Sequence, residues 1–382
     1  MQKLARARAA VARAWSAARS AWQRRPAWLR RPPWITDELL LGVRWVALTV
    51  WAIWFAWYLW ARGIPQARTD LLFCFGLGLI AWSIGRRNVL TVVIDFLPFA
   101  AVLIVYDRLR GISDSMGMPT WWHPQVDFDR WLFFGHEPTL WLQENILYPQ
   151  VQWWEPFVAL CYLSFFFLPY VTAAVLWLRS RADFYRWSLR FVALSFLAFG
   201  FFALTPAAPP WAAAKCTAAE IANHPYDPPC LHINPYYVPS GGILGTMHQT
   251  HLGAATRVDR IVYRALYELH LNFAGTLVKT GQASADLVAA VPSLHAGGIV
   301  LFTVFMWRRI NRWWRPLLVF YCFFMGFTLV YGAEHFVFDI LAGWILAVLV
   351  HLAASWIERW RKRAKQAKQA ERSERARDPA PT

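Results

Sequence analysis

Eight apolar segments constrain this chain more than any other feature, because each is about as long as a helix that crosses a membrane. They lie at about 39–60, 69–85, 89–106, 153–178, 187–205, 293–308, 316–332 and 337–357. The 382 residues are 57% apolar and only 16% charged, which excludes a disordered chain and is too apolar for an ordinary soluble domain. We therefore predict an all-α fold, a polytopic membrane bundle of about eight transmembrane helices.

Basic residues are concentrated at the two ends of the chain. Residues 1–36 hold nine Lys and Arg and no acid, and residues 359–377 hold nine bases and two acids, so these stretches carry the whole net charge of +16. We expect them to contact anionic lipid headgroups and not nucleic acid. The chain then divides into a basic N-terminal segment (1–36), a membrane domain (37–358) and a basic tail (359–382). Residues 1–31 are interpreted either as a helix on the membrane surface or as a disordered tail.

Arginines between the apolar segments indicate which side of the membrane each short loop faces. They are Arg86, Arg87, Arg179, Arg181, Arg186, Arg190, Arg308, Arg309, Arg312 and Arg315. Short loops rich in arginine stay in the cytoplasm. With eight crossings, both basic ends then lie in the cytoplasm of a cell (plasma) membrane protein. The long loops 107–152 and 206–291 face the periplasm or exterior.

The two long loops have different characters. Residues 129–134, Asp-Arg-Trp-Leu-Phe-Phe, mix aromatic and charged side chains and predict helices that lie in the membrane interface. The loop 206–291 contains Cys216 and Cys230, which form either a disulfide in an oxidising compartment or two free thiols. Apolar spacing predicts a helix over 254–272 in the same loop.

Two polar clusters open the sixth and eighth segments at their outer ends, around His295 and around His335 with Asp339. Ionisable residues at one membrane depth favour a function. Asp339 lies four residues after His335, so its carboxylate can accept the Nδ1 proton on the same helix face. Residues 292–295, Pro-Ser-Leu-His, start a helix whose free amides suit an anion. The two histidines then suit nucleophile and general acid in phosphate ester chemistry. The alternatives are interfacial histidines without chemistry and a zinc site.

These motifs resemble the second and third signature motifs of the type 2 phosphatidic acid phosphatase superfamily. Residues 292–295 are similar to the second motif, and His335-x-x-x-Asp339 is similar to the third. Leu294 between Ser and His, and Leu329 in place of an arginine, make the chain most similar to the branch containing inositol phosphorylceramide synthase. The resemblance implies a six-helix core. The first motif of the family, a Lys followed seven residues later by Arg-Pro, has no match.

The resemblance implies a ping-pong mechanism that uses no metal or other cofactor. His335 would attack phosphorus to form a phosphohistidine, and Asp339 would hold its ring. His295 would protonate the leaving oxygen and then deprotonate the acceptor.

The missing first motif leaves the phosphate-binding groups to be found elsewhere. We expect Ser293, Lys279, Arg257 and Arg260 to bind the phosphate. Further candidates on the outer side are Lys215, Arg108 and Arg110.

The leading hypothesis is an integral membrane lipid phosphotransferase. It would move a phosphorylated headgroup, inositol phosphate among the candidates, between a phospholipid or polyprenyl-phosphate donor and an alcohol acceptor on the outer face. The alternative enzyme is a lipid phosphate phosphatase acting on phosphatidic acid or a polyprenyl (di)phosphate. A transporter is a further alternative, but it predicts midplane charges and repeat symmetry, and neither is visible in the sequence.

Overall fold

The computed structural model describes residues 36–62, 68–86, 89–110, 117–232, 241–248, 257–272, 275–276 and 287–377. Within these ranges the chain forms thirteen α-helices and no strand, which confirms the predicted all-α fold. The N-terminal segment 1–31 and Lys279 lie outside the described residues.

The helices are α1 (Asp37–Arg62), α2 (Arg68–Ser83), α3 (Val89–Arg110), α4 (Pro124–Leu132), α5 (Pro138–Ile146), α6 (Glu155–Arg179), α7 (Arg181–Leu204), α8 (Pro210–Ala213), α9 (Ala218–Asn223), α10 (Val262–Glu268), α11 (Leu294–Met306), α12 (Arg315–Tyr331) and α13 (Val337–Arg377). Each predicted apolar segment corresponds to one of them. By length and composition α1, α6, α7, α12 and α13 can cross a membrane, and α2, α3 and α11 are apolar but shorter. Several apolar helices of this kind define a membrane protein.

The arginines between the apolar segments also join helices to one another. Arg181 Nε donates to Asp95 of α3 at 2.6 Å, and Arg190 of α7 donates to Glu358 of α13, also at 2.6 Å. Asp95 is only 2% exposed. These charges are therefore paired, as buried charges must be.

The long loops 107–152 and 206–291 contain the shorter helices α4, α5, α8, α9 and α10. Cys216 and Cys230 are bridged with their Cα atoms 5.3 Å apart, so the disulfide is confirmed and the two free thiols are not found. The helix predicted over 254–272 is wrong, because α10 starts only at Val262. Asp259, just before α10, instead forms hydrogen bonds with Gln143 of α5.

The two helices that carry the polar motifs, α11 and α13, are in close contact through their backbones. A Cβ atom on Gly343 would lie 2.3 Å from the carbonyl oxygen of Ser293, and one on Gly297 would lie 2.9 Å from that of Gly343. The Ser293 N–H donates to the Asp339 carbonyl at 3.0 Å. Glycine at these positions therefore sets the distance between the two motifs.

We expect Gly343→Ala to lower the free energy of unfolding by about 3 kcal/mol, because overpacking against backbone atoms cannot be relieved by a rotamer change. Gly326→Ala is the matched control, since a Cβ there would meet its nearest atom at 3.8 Å. Thermal unfolding of both variants in detergent measures the difference. Equal midpoints for the two variants would contradict the close packing of α11 on α13.

Candidate active site

The motif of residues 292–295 lies at the start of α11. Ser293 is the N-cap, and its Oγ accepts a hydrogen bond from the Ala296 N–H at 3.3 Å. Pro292 precedes the cap and follows a cis peptide bond, so it does not lie in the first helical turn as the sequence suggested. The first amides of a helix have no acceptor within the helix and carry partial positive charge. This end of α11 therefore suits an anion.

The motif of His335 and Asp339 lies at the start of α13. His335 Nδ1 lies 3.4 Å from Asp339 Oδ2, and the same oxygen accepts the Phe336 N–H at 2.9 Å. His335 precedes α13, so it meets Asp339 through the geometry of the helix start and not through a shared helix face. Asp339 is fully buried and His335 is 7% exposed. The carboxylate thus caps the start of the helix and lies next to the imidazole of His335.

The two histidines meet at the N-terminal ends of α11 and α13. The ring centroids of His295 and His335 are 5.6 Å apart and the rings are inclined at 56°. The structure therefore brings together His295, His335 and Asp339, which are the three residues expected to act in catalysis.

Three aromatic residues of α6 surround His295 and were missed by the sequence reasoning. The ring centroid of Phe165 is 4.2 Å from that of His295, Tyr162 stacks on it at 5.0 Å and Phe166 lies at 5.8 Å. Their spacing of three and four residues places them on one helix face. That spacing was the available signal, but apolar membrane helices show it often. The rings make the surroundings of His295 apolar on this side.

A cluster of cations lies around Trp211 and Glu334, and Glu334 directly precedes His335 in the chain. Arg260 stands 3.8 Å over the ring of Trp211, and Lys215 Nζ is 4.9 Å from the same ring. Arg260 Nε is 3.9 Å from Glu334, the neighbour of His335. Burial lowers the pKa of Arg260, whereas nearby negative groups, Glu334 foremost, act in the opposite direction. Trp211 was not singled out in the sequence.

Arg257 belongs to the same cluster. Burial lowers the pKa of Lys215, and the charges of Arg260 and Arg257 lower it further. The Arg257 Nη1 atom is buried and has no hydrogen-bond partner among the residues that the structure describes. Lys279 and the side chains of Arg108 and Arg110 lie outside the described part, so the cations placed at the site are Lys215, Arg257 and Arg260.

The segment before α8 carries Trp211 to the site. Ala207 forms single bridges with Trp121 on one side and Ala289 on the other. The Trp211 N–H then donates to the carbonyl of Ala333 at 3.3 Å. Ala333 has a φ of 58°, a left-handed conformation that L residues adopt only where the surroundings impose it. This turn delivers Glu334 and His335.

The zinc alternative concerns the same three side chains. Among the residues within the described ranges, no group of three His, Cys, Asp or Glu side chains is arranged to hold a metal ion. His335 turns Nδ1 towards Asp339, as in an imidazole oriented by a carboxylate.

Together the fold and the site define a helical membrane protein with a polar centre of two histidines and one carboxylate. A family model described as the PAP2 superfamily matches residues 125–353, which is more than half of the chain and includes both motifs. The chain belongs to the PAP2 superfamily. It is therefore a lipid enzyme of the phosphatase or phosphotransferase type, with a lipid phosphate as substrate. Neither a curated protein nor a solved structure matched the chain.

Proposed function

We propose that this enzyme is a lipid phosphotransferase that moves a phosphorylated headgroup, inositol phosphate among the candidates, from a lipid donor to an alcohol. The observation that carries the proposal is the pair of histidines 5.6 Å apart, one of them held by a buried carboxylate. One imidazole in such a pair can act as the nucleophile, and the other can donate and accept the proton.

In the first step, Nε2 of His335 attacks the phosphorus atom of the donor. A P–N bond forms and the bond from phosphorus to the leaving oxygen breaks, while His295 gives its proton to that oxygen. Asp339 accepts the Nδ1–H hydrogen bond and stabilises the positive charge that develops on the ring. The products are a phosphohistidine and the released lipid alcohol.

In the second step, the hydroxyl of the acceptor attacks the phosphohistidine. His295, now neutral, takes the hydroxyl proton, the new P–O bond forms and the P–N bond breaks. An alcohol as acceptor makes the enzyme a transferase, and water as acceptor makes it a phosphatase, which is the alternative function. The aromatic residues Tyr162, Phe165 and Phe166 beside His295 favour the transferase, because an apolar wall limits water around the base.

The phosphoryl oxygens bind to the start of α11 and to the cations. Ser293 lies at a helix N-terminus, where amides attract phosphate. Arg257 and Arg260 supply guanidinium groups, each of which can donate two parallel hydrogen bonds to phosphate oxygens. Lys279 stays a candidate from the sequence. These groups take the place of the absent first family motif.

The experiment is a donor and acceptor panel. Purified protein is incubated with phospholipids and polyprenyl phosphates that carry labelled phosphate, each with and without candidate alcohol acceptors. We expect label in the alcohol product, and none with His295→Asn. Label found only in free phosphate, or only in a headgroup released by hydrolysis, would show that the enzyme is a phosphatase.

Metal independence is expected from the same site. EDTA should leave activity unchanged, and orthovanadate should inhibit, because its trigonal bipyramid resembles the phosphoryl transition state. A site with His295, His335 and Asp339 as zinc ligands would instead lose activity on chelation. Activity that is lost with EDTA and restored by zinc would rule out this mechanism.

We propose further that the site faces the periplasm or exterior and that both termini are cytoplasmic. The arginine-rich loops support this orientation, and so does the Cys216–Cys230 bridge, since disulfides persist in oxidising compartments. A cysteine introduced at the exposed Asp227 should react with an impermeant thiol reagent in intact cells. Reaction only after permeabilisation would reverse the orientation.

A further inference from the structure

The hairpin formed by α4 and α5, residues 124–146, lies outside both catalytic motifs. Its exposed face is aromatic, with Trp131 at 74% exposure, whereas Asp129 and Gln143 are completely buried polar residues. We propose that this hairpin is the positioning element of the active site, with Asp129 placing the nucleophile and Gln143 placing a phosphate-binding arginine. The inference rests on the proposed function for the roles of His335 and Arg260.

Asp129 holds the start of α13. Its Oδ2 accepts the Val337 N–H at 2.8 Å, and its Oδ1 accepts the Phe338 N–H at 2.9 Å. Both amides follow His335 by two or three residues, so the carboxylate fixes the backbone on which the nucleophile stands. An acidic side chain at a helix N-terminus also interacts favourably with the helix dipole. Asp129 is therefore anchored to α13 by both of its oxygens.

Burial of the charged Asp129 side chain costs free energy, because the carboxylate loses its contact with water. The pKa of Asp129 is raised to about 7, chiefly by burial and in smaller part by the neighbouring carboxylates of Glu137 and Asp339, while its hydrogen bonds from the Val337 and Phe338 amides act in the opposite direction. A buried carboxylate is retained only where its hydrogen bonds compensate for desolvation. The geometry indicates that the bonds to α13 are that compensation.

Gln143 holds the segment that carries Arg260. Its Nε2 donates to the carbonyls of Asp259 and Tyr331, both at 2.8 Å, and its Oε1 accepts the Asp259 N–H at 3.0 Å. Asp259 directly precedes Arg260, and Tyr331 ends α12 just before the turn to His335. One amide group thus joins the arginine segment to the end of α12.

The hairpin itself is held in place. Glu137 caps α5 by accepting the N–H groups of Thr139 and Leu140 at 3.1 and 2.6 Å. Arg130 donates to two carbonyls of the loop after the disulfide, at Ile243 and Leu244, both at 3.2 Å. A rigid support of this kind can transmit a fixed position to both halves of the site.

The test compares Asp129→Asn and Gln143→Glu with two matched controls, Asp127→Asn and Asn145→Asp, at exposed positions of the same helices. Asp129→Asn should lower kcat about 10²-fold with KM unchanged, because a displaced nucleophile reacts slowly on bound substrate. Gln143→Glu should raise KM about tenfold, equivalent to one lost phosphate contact. The controls should match the wild type.

Amide hydrogen exchange provides a second measurement that needs no substrate. In Asp129→Asn the amides of Val337 and Phe338 should exchange faster, and in Asp127→Asn they should not. If Asp129→Asn fails to fold, Asp129→Ser, a smaller side chain that keeps one acceptor, is measured in its place.

Three results would overturn the inference. They are variants that match their controls, kcat and KM that change in the same proportion in both variants, and unchanged exchange at Val337 and Phe338. A wild-type protein without phosphotransfer or vanadate binding would instead reject the proposed function, while the exchange measurement would still test the contact of Asp129 with α13.

Discussion

Replacing His335 by alanine should abolish turnover, with a loss of roughly 10⁶-fold in kcat. Alanine has no nucleophile, so no phosphohistidine can form and the covalent route is closed. The variant should nevertheless fold, because the backbone bonds at the start of α13 involve Phe336, Val337 and Phe338 and not the imidazole. Single-turnover assays with labelled donor measure both the chemical step and the trapped phosphoenzyme.

The matched control is His224→Ala, which removes an exposed histidine of the loop 206–291. It should retain wild-type turnover and label. Substantial activity in His335→Ala, or label that persists on the protein, would show that another residue is the nucleophile.

Replacing Asp339 by asparagine should lower kcat by roughly 10²–10⁴-fold and leave a measurable remnant. Asp339 Oδ2 serves the Phe336 N–H and faces His335 Nδ1 at 3.4 Å. The asparagine amide has only one acceptor oxygen, and its NH₂ group favours the wrong imidazole tautomer. His335 would then be a poorer nucleophile in part of the molecules.

Steady-state kinetics at a single pH measure this loss, with the exposed Asp127→Asn as the same chemical change at a neutral position. A residual rate as low as that of His335→Ala would mean that Asp339 does more than orient the ring. A rate equal to that of the wild type would remove it from the mechanism.

The membrane helices were predictable because their signal is local. Each depends on a continuous apolar run, and the predicted segment 293–308 corresponds closely to α11 (Leu294–Met306). The last helix is longer than predicted, since α13 continues to Arg377 through the basic tail, whose Lys, Arg, Gln and Ala residues favour helix. The helix expected over 254–272 failed, because Asp259 is held by Gln143, more than a hundred residues away.

The closeness of His335 and Asp339 was also predictable from their separation of four residues, although they meet at a helix start and not on a shared helix face. The meeting of His335 with His295 depends on the contact of Gly297 with Gly343, which the sequence shows only as small residues. Spacing along the chain contains no measure of the distance between two helices.

The sequence by itself therefore determined the all-α membrane class, the two polar motifs and the chemistry that a histidine with a carboxylate can perform. These properties depend on residue type and on separations of a few residues. Only the tertiary structure decided which cations cluster, and it placed Lys215 and Arg260 over the ring of Trp211 with Arg257 near Lys215. It also brought the hairpin of α4 and α5 against the start of α13 and against the segment that carries Arg260. Such contacts arise from packing between distant segments, and local periodicity does not record them.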